Sequence, residues 1–228
     1  MRYNYKIVQP WVLAYEGGYV NHSKDPGGAT MEGVTQRTYD ADRRRHGLGV
    51  RPVRQMEPRE RDAIYKTQYW DAVRGDDLPS GIDAAVYDYA VNSGPSRAAR
   101  ELQAVLGVVQ DGVIGVMTLD AAQAANPFAV IKGLCERRLA FMKRARHSKT
   151  KKLLWPTFSV GWTRRVMGDL PGVQDADTGI IDRATRLARG APHIAAPKVR
   201  DDGAGQSATE TVLGFWAQLF ALLFGKVA

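Results

Sequence analysis

Ile7-Val-Gln-Pro-Trp-Val-Leu-Ala-Tyr-Glu16-Gly-Gly-Tyr19-Val-Asn-His-Ser-Lys-Asp25-Pro-Gly-Gly28-Ala-Thr30-Met-Glu-Gly33-Val-Thr35 is the stretch on which the fold turns. Ile7, Trp11, Val12 and Tyr15 recur at helical intervals along one apolar face, and Gly17-Gly18 ends the pattern. From Asn21 to Gly33 the chain is rich in Gly, Pro, Asp and Ser, which predicts a long structured loop or a short hairpin. Glu16 therefore stands at the C-terminal end of an amphipathic helix, where the helix dipole opposes a carboxylate. Such a residue is either solvated or turned off the helix into a cleft. Against Tyr15 and Tyr19, an apolar wall would raise its pKa and keep part of it protonated near neutral pH.

Outward from this stretch the apolar spacing is helical almost throughout, so the fold class expected is mainly α. Thr35 to His46 reads as a polar-faced helix stopped by Gly47 and Gly49. Glu57-Pro58 opens another, carrying Ile64, Tyr65, Tyr69 and Trp70, since proline suits a first turn. Ile82 to Val91 follows, with Ala85, Val86, Tyr89 and Ala90 on one face, and Asn92-Ser-Gly-Pro95 breaks it before a helix through Leu102, Val105 and Leu106. Asp111-Gly112 is a turn signal. Asn126-Pro127 reads as an N-cap with proline behind it, leading a helix through Ile131, Leu134 and Met142, and Phe158 to Met167 is a last short helix. After Gly168 the texture changes. Residues 169–210 are dominated by Asp, Gly, Pro, Ala and Arg, with large apolar residues only around Ile180 to Leu187, which reads as a linker with one weak helix at most. Val212 to Phe224 then runs without a charge.

A chain of 228 residues holds one good-sized domain, or one domain and a small module. Cys135 is the only cysteine, which excludes an internal disulfide and reads as a small buried hydrophobe. His22, His46, His147 and His193 are scattered singly, so no metal site is expected, and no cofactor. The net charge of +8 favours an anionic partner: nucleic acid, anionic lipid or a cell-wall polymer. No helix-turn-helix, zinc-finger or RNA-recognition signature supports nucleic acid. A nucleotide-binding glycine loop and a Ser-His-Asp arrangement are likewise missing. The first residues lack the continuous apolar run and small-residue cleavage site of a secretory signal peptide.

Four separated blocks carry a family resemblance. They are Glu16-Gly-Gly-Tyr19-Val-Asn with Asp25-Pro-Gly-Gly28, Thr30 and Gly33-Val-Thr35; Ile64-Tyr65-x3-Tyr69-Trp70; Asp88-x-Ala-Val-Asn92-x-Gly94; and Phe158-x-x-Gly161-Trp162-x-x-Arg165-Val166. In this order, over about residues 5–168, the chain resembles the glycoside hydrolase family 108 lysozymes. The resemblance implies a lysozyme-like helical domain with a short loop or hairpin after the first helix. It implies hydrolysis of the β-1,4 bond between N-acetylmuramic acid and N-acetylglucosamine in peptidoglycan, with Glu16 as the catalytic residue. That role fits the chemistry, because the leaving oxygen must be protonated by a carboxylic acid. Phage-type lysozymes are similar in placing an Asp nine residues after this Glu and a Thr shortly beyond, here Asp25 and Thr30. Pro26-Gly27-Gly28 and an extra residue before Gly33 alter the register of that loop. In that comparison Glu16 is the general acid, while Asp25 and Thr30 hold the attacking water. Asp25-Pro-Gly-Gly is also plain turn chemistry, and Thr30 is also a candidate helix N-cap.

Tyr19, Tyr69, Trp70 and Trp162 offer flat surfaces for sugar rings, although aromatics at helical spacing more often fill a core. Tyr19 and Trp70 are taken as substrate contacts. Asn92 joins them as a hydrogen-bonding partner for an N-acetyl group, with helix capping an equal candidate. Residues 97–125 resemble peptidoglycan-binding modules, through Ala98-x3-Leu102-Gln103-x-x-Leu106-Gly107 and Asp111-Gly112-x-Ile114-Gly115-x-x-Thr118. The organisation expected is a catalytic lobe at 1–94, a binding segment at 95–168 packed on it, a linker at 169–210 and an apolar tail at 211–228. A monomer acting on glycan strands at the cell wall is expected. Its tail is a membrane anchor, a docked helix or an oligomerisation segment. As a helix, 212–224 would cover about 20 Å, short of the ~30 Å hydrocarbon core of a bilayer. A lytic transglycosylase and a non-catalytic wall-binding or secretion-assisting protein are the rival functions.

Overall fold

The structure, a computed structural model, describes residues 4–21, 28–147, 150–168 and 179–190. It is mainly α-helical, as the apolar periodicity predicts. Among the described residues, α1 (Asn4–Leu13), α2 (Gln36–Arg45), α3 (Pro58–Tyr65), α4 (Ile82–Ser93), α5 (Pro95–Leu106), α6 (Val116–Ala124), α7 (Pro127–Arg144), α8 (Trp155–Met167) and α9 (Ile180–Ala188) surround one small sheet. No helix among them is long and apolar enough to cross a membrane.

The sheet is an antiparallel meander of β1 (Tyr19–Val20), β2 (Thr30–Met31) and β3 (Val34–Thr35); of the long loop or short hairpin expected for Asn21 to Gly33, the described part contains the short hairpin β2–β3. Met31 pairs with Val34 across a two-residue turn in which Glu32 (φ 44°) and Gly33 (φ 79°) are both left-handed. That is the type I′ geometry, whose twist matches the flanking strands. Thr35 caps α2, accepting from the Thr38 amide at 3.2 Å. The N-cap weighed for Thr30 is thus Thr35 instead, and Thr30 lies buried in β2.

α4 is the axis of the molecule. Almost every one of its residues is buried, and α1, α5, α7 and α9 all pack on it. A helix that is apolar all round has no solvent face to keep, and Ala84, Ala85 and Ala90 let its neighbours approach closely. Around it, the N-cap read at Asn126 holds, and α3 carries a cap of its own. Asn126 accepts from the Phe128 and Ala129 amides ahead of α7, and Glu57 with Glu60 forms a capping box on α3. Between α5 and α6 the side chain of Gln103 gathers the loop, donating to Asp111 Oδ1 (2.6 Å), the Val113 carbonyl (2.9 Å) and Thr118 Oγ1 (3.2 Å), and accepting from the Gly112 amide.

Two features depart from expectation. The last described helix is not α8 but α9, inside the stretch read as linker. Ile180, Ala184 and Leu187 are buried, and α9 packs on α4, α7 and α8. One apolar face at helical spacing suffices to seat even a short helix when a groove awaits it. Gly81 makes that groove: a Cβ there would lie 2.3 Å from the Ala184 carbonyl oxygen, and its φ is +88°. The second departure is a π-helical turn, Lys66–Trp70, that continues α3 and closes with the Asp71 amide on the Lys66 carbonyl at 2.8 Å. The apolar tail 211–228 lies outside the described residues.

Candidate active site

Glu16 sits just past α1, where the helix tightens: the amides of Tyr15 and Glu16 bond the carbonyls three residues back, at 3.0 Å each. This turn directs the side chain inward rather than to solvent, and the side chain keeps only 3% of its surface exposed. One carboxyl oxygen, Oε1, accepts from Arg165 Nη1 of α8 at 3.3 Å. The other, Oε2, faces the hairpin. A Cβ built on Gly33 would stand 3.0 Å from Oε2 and 2.2 Å from Tyr65 Oη. The missing side chain at Gly33 is therefore what leaves room in front of the carboxyl. Tyr65 fixes the turn there by donating its hydroxyl to the Glu32 carbonyl at 3.0 Å. Arg61 binds the Glu32 carboxylate at 2.8 Å, holding the same turn from α3.

Burial pushes the Glu16 carboxyl above its ordinary value; Arg165 pulls it down and Asp88 pushes it up, and the net direction is upward. The aromatic walls are Tyr65 and Tyr69, one turn apart with ring centroids 5.6 Å distant. Burial first, then the Glu16 charge, raises both hydroxyls, Tyr69 to about 12. Sequence reading placed Tyr15 and Tyr19 in that role. Tyr15 instead lies under the Arg165 guanidinium, 5.1 Å from it. An acid whose pKa is raised above its ordinary value, beside a tethered cation, is equipped to donate a proton and to be stabilised once it has done so.

Behind Glu16 lies a buried charge cluster that sequence reading missed. Arg165 turns its Nη2 and Nε to Asp88 Oδ1 of α4, at 2.9 and 3.2 Å, and Asp88 Oδ2 accepts from Arg138 Nη1 of α7. Arg165, Arg138 and Asp88 are 0%, 1% and 2% exposed. Burial alone would raise Asp88, but the two guanidiniums outweigh it and hold the carboxylate at about 2. The available signal was a charge in an otherwise apolar stretch, since a buried charge requires a partner.

The other expected site residues divide. Tyr19, on β1, is 42% exposed, with Arg54 over its ring at 5.4 Å, so it presents a face to solvent. Trp70 is a correction. It is wholly buried, donates Nε1–H to Asp76 Oδ1 at 3.1 Å, and packs on Tyr5 and Tyr87 with centroids 5.5 and 5.3 Å away, so it has no face to offer a sugar. Asn92 lies in the last turn of α4 at 2% exposure, its Oδ1 accepting from Ser93 Oγ at 3.1 Å. It caps neither α4 nor α5, whose shared boundary is Gly94. Asp25 lies outside the described residues. Among those described, no group of His, Cys, Asp or Glu is placed to hold a metal.

The family model described as glycosyl hydrolase 108 matches residues 9–94, which contain Glu16, the hairpin and α4. A solved structure of SagA from Brucella abortus is 38% identical, superimposes with a TM-score of 0.65, and is matched over 83% of this chain and 98% of that one. No curated protein matches significantly.

Proposed function

This chain belongs to the glycosyl hydrolase 108 family, and from that premise we propose that it is an N-acetylmuramidase. In this reading it cuts the β-1,4 bond between N-acetylmuramic acid and N-acetylglucosamine in peptidoglycan, with Glu16 as general acid. The observation that carries the assignment is the Glu16 carboxyl itself: almost buried, raised in pKa, anchored through one oxygen to Arg165, with the other facing the space at Gly33.

Glu16 gives its proton to the glycosidic oxygen as the bond to the muramic acid C1 breaks, and Arg165 stabilises the carboxylate that remains. Water adds to C1 from the opposite face, held by Asp25 and by Thr30 of β2, and loses its proton to Asp25. The product has a reducing N-acetylmuramic acid end of inverted anomeric configuration. An inverting pair requires a Glu16–Asp25 carboxyl separation of about 6.5–9.5 Å, whereas retention requires ~5–5.5 Å. Asp88 is fully buried behind Arg165 and does not compete for the role of base.

Substrate contacts are assigned to Tyr19 and, for wall binding, to the 95–168 segment. Val109, Val113, Val116 and Met117 there are 66–82% exposed around the loop that Gln103 organises. The deciding experiment is mass spectrometry of muropeptides released from purified peptidoglycan. Reducing N-acetylmuramic acid ends are expected; 1,6-anhydro ends would make the protein a lytic transglycosylase, and no release would make it a wall-binding protein.

A further inference from the structure

Glu16 must be protonated to act as an acid, yet it touches a guanidinium, a cation that favours the ionised carboxylate. An unopposed arginine beside a carboxyl lowers its pKa, and inside a protein this effect is large. The geometry shows what opposes it. Asp88 takes two of the three nitrogens of Arg165, leaving only Nη1 for Glu16, at the longer distance of 3.3 Å. Asp88 is itself shared with Arg138, so three helices, α4, α7 and α8, meet at one buried carboxylate. We propose that Asp88 is a positioning residue that sets the acid strength of Glu16 by occupying Arg165, with Arg138 tuning how completely it does so. This rests on the reading of Glu16 as the general acid.

Counting charge makes the argument concrete. With Glu16 protonated, the cluster holds two guanidiniums and the Asp88 carboxylate. Once Glu16 has given its proton away, the four groups balance. Asp88 thus keeps the acid form from being driven out, and Arg165 receives the charge that develops on Glu16 in the reaction. Among the described residues, the other groups around Glu16 do not supply this balance. From α3 and the π turn it faces the neutral hydroxyls of Tyr65 and Tyr69; Tyr15 on its own segment lies against Arg165; on the hairpin, Glu32 is engaged by Arg61.

Two variants of the full chain move Glu16 in opposite directions. Asp88→Asn frees Arg165 to hold Glu16 alone, so the pKa of Glu16 falls. Arg138→Met leaves Asp88 wholly to Arg165, so the pKa rises. The direct measurement is a carboxyl carbon NMR titration, in which the Glu16 signal is identified by its loss in Glu16→Gln. The accompanying measurement is the alkaline limb of kcat/KM on peptidoglycan. Expected are a downward shift of at least about one pH unit in Asp88→Asn, equal to a tenfold smaller acid fraction above the limb, and an upward shift in Arg138→Met. Asp88→Asn leaves Arg138 buried without its carboxylate and is the variant at risk of not folding. Arg138→Met keeps the Asp88–Arg165 pair, so it decides alone in that event. A Glu16 signal that stays at its wild-type pKa in the folded variants overturns the proposal, even if rates fall. If the signal moves as stated while the rate limb does not follow, the positioning role stands and the general-acid reading of Glu16 fails.

Discussion

Gln in place of Glu16 keeps the shape and one hydrogen-bond acceptor for Arg165 while removing the proton donor. Loss of a general acid costs at least ~10²-fold in rate, so Glu16→Gln should stop turbidity clearing of cell walls yet still bind them; near wild-type clearing would refute the assignment. The same variant reports on stability. The Glu16 carboxyl is raised from 4.5, so the folded wild type holds its proton where the unfolded chain has lost it. Wild-type stability therefore falls as pH rises from about 4.5 through the raised value. Glu16→Gln should gain relative to wild type across that window and stay level below it, as measured by urea unfolding at stepped pH. The two aromatics named from sequence separate at this scale too. Tyr19→Ala, at an exposed ring, should raise KM with little change in unfolding free energy. Trp70→Ala should cost about 3–5 kcal/mol as a cavity in the core. Equal destabilisation by the two would show that Tyr19 is structural.

At the scale of elements, α9 tests whether the chain past Gly168 belongs to the fold. Gly168 and Gly179 stand so close that a Cβ on Gly179 would lie 2.1 Å from the Gly168 nitrogen, so the chain returns directly onto the end of α8. Leu187 is 4% exposed in the groove of α4 and α7. Leu187→Ala should destabilise the protein by about 2–5 kcal/mol, whereas a linker helix would respond within about 0.5 kcal/mol, as exposed positions do. Denaturant unfolding of the single variant decides between them. The hairpin makes the complementary point. Its I′ turn needs Gly33 for φ and for space, and that residue also opens the front of Glu16, so one glycine serves both the turn and the site.

At the scale of the molecule, the charge of +8 and the uncharged stretch from Val212 to Phe224 bear on where the enzyme works. An uncharged apolar stretch of this length beside a basic body is expected to associate with an anionic surface rather than to cross a bilayer. The full chain should co-sediment with anionic liposomes and a chain ending at residue 210 should not, with cleavage intact in both. Equal sedimentation would exclude the anchor, and collapse of the shortened chain would identify a docked core helix.

What the sequence determined by itself was everything governed by local period and punctuation. Helices α1 to α5, α7 and α8 were readable because apolar residues repeat every three to four positions and Gly, Pro and Asn mark their ends. The place of Glu16 at the end of the first helix, ahead of the hairpin, was readable because these residues are neighbours in the chain. Only the tertiary structure decided the rest. Arg138 and Arg165 lie 50 and 77 residues after Asp88, and no local pattern says that these charges meet. Trp70 and Tyr19 look alike in sequence, but whether a ring is covered depends on which elements arrive over it. The docking of α9 likewise depends on a groove built from Gly81 and its neighbours far upstream. Period fixes which face of an element is apolar; burial and charge pairing depend on what the fold brings against it.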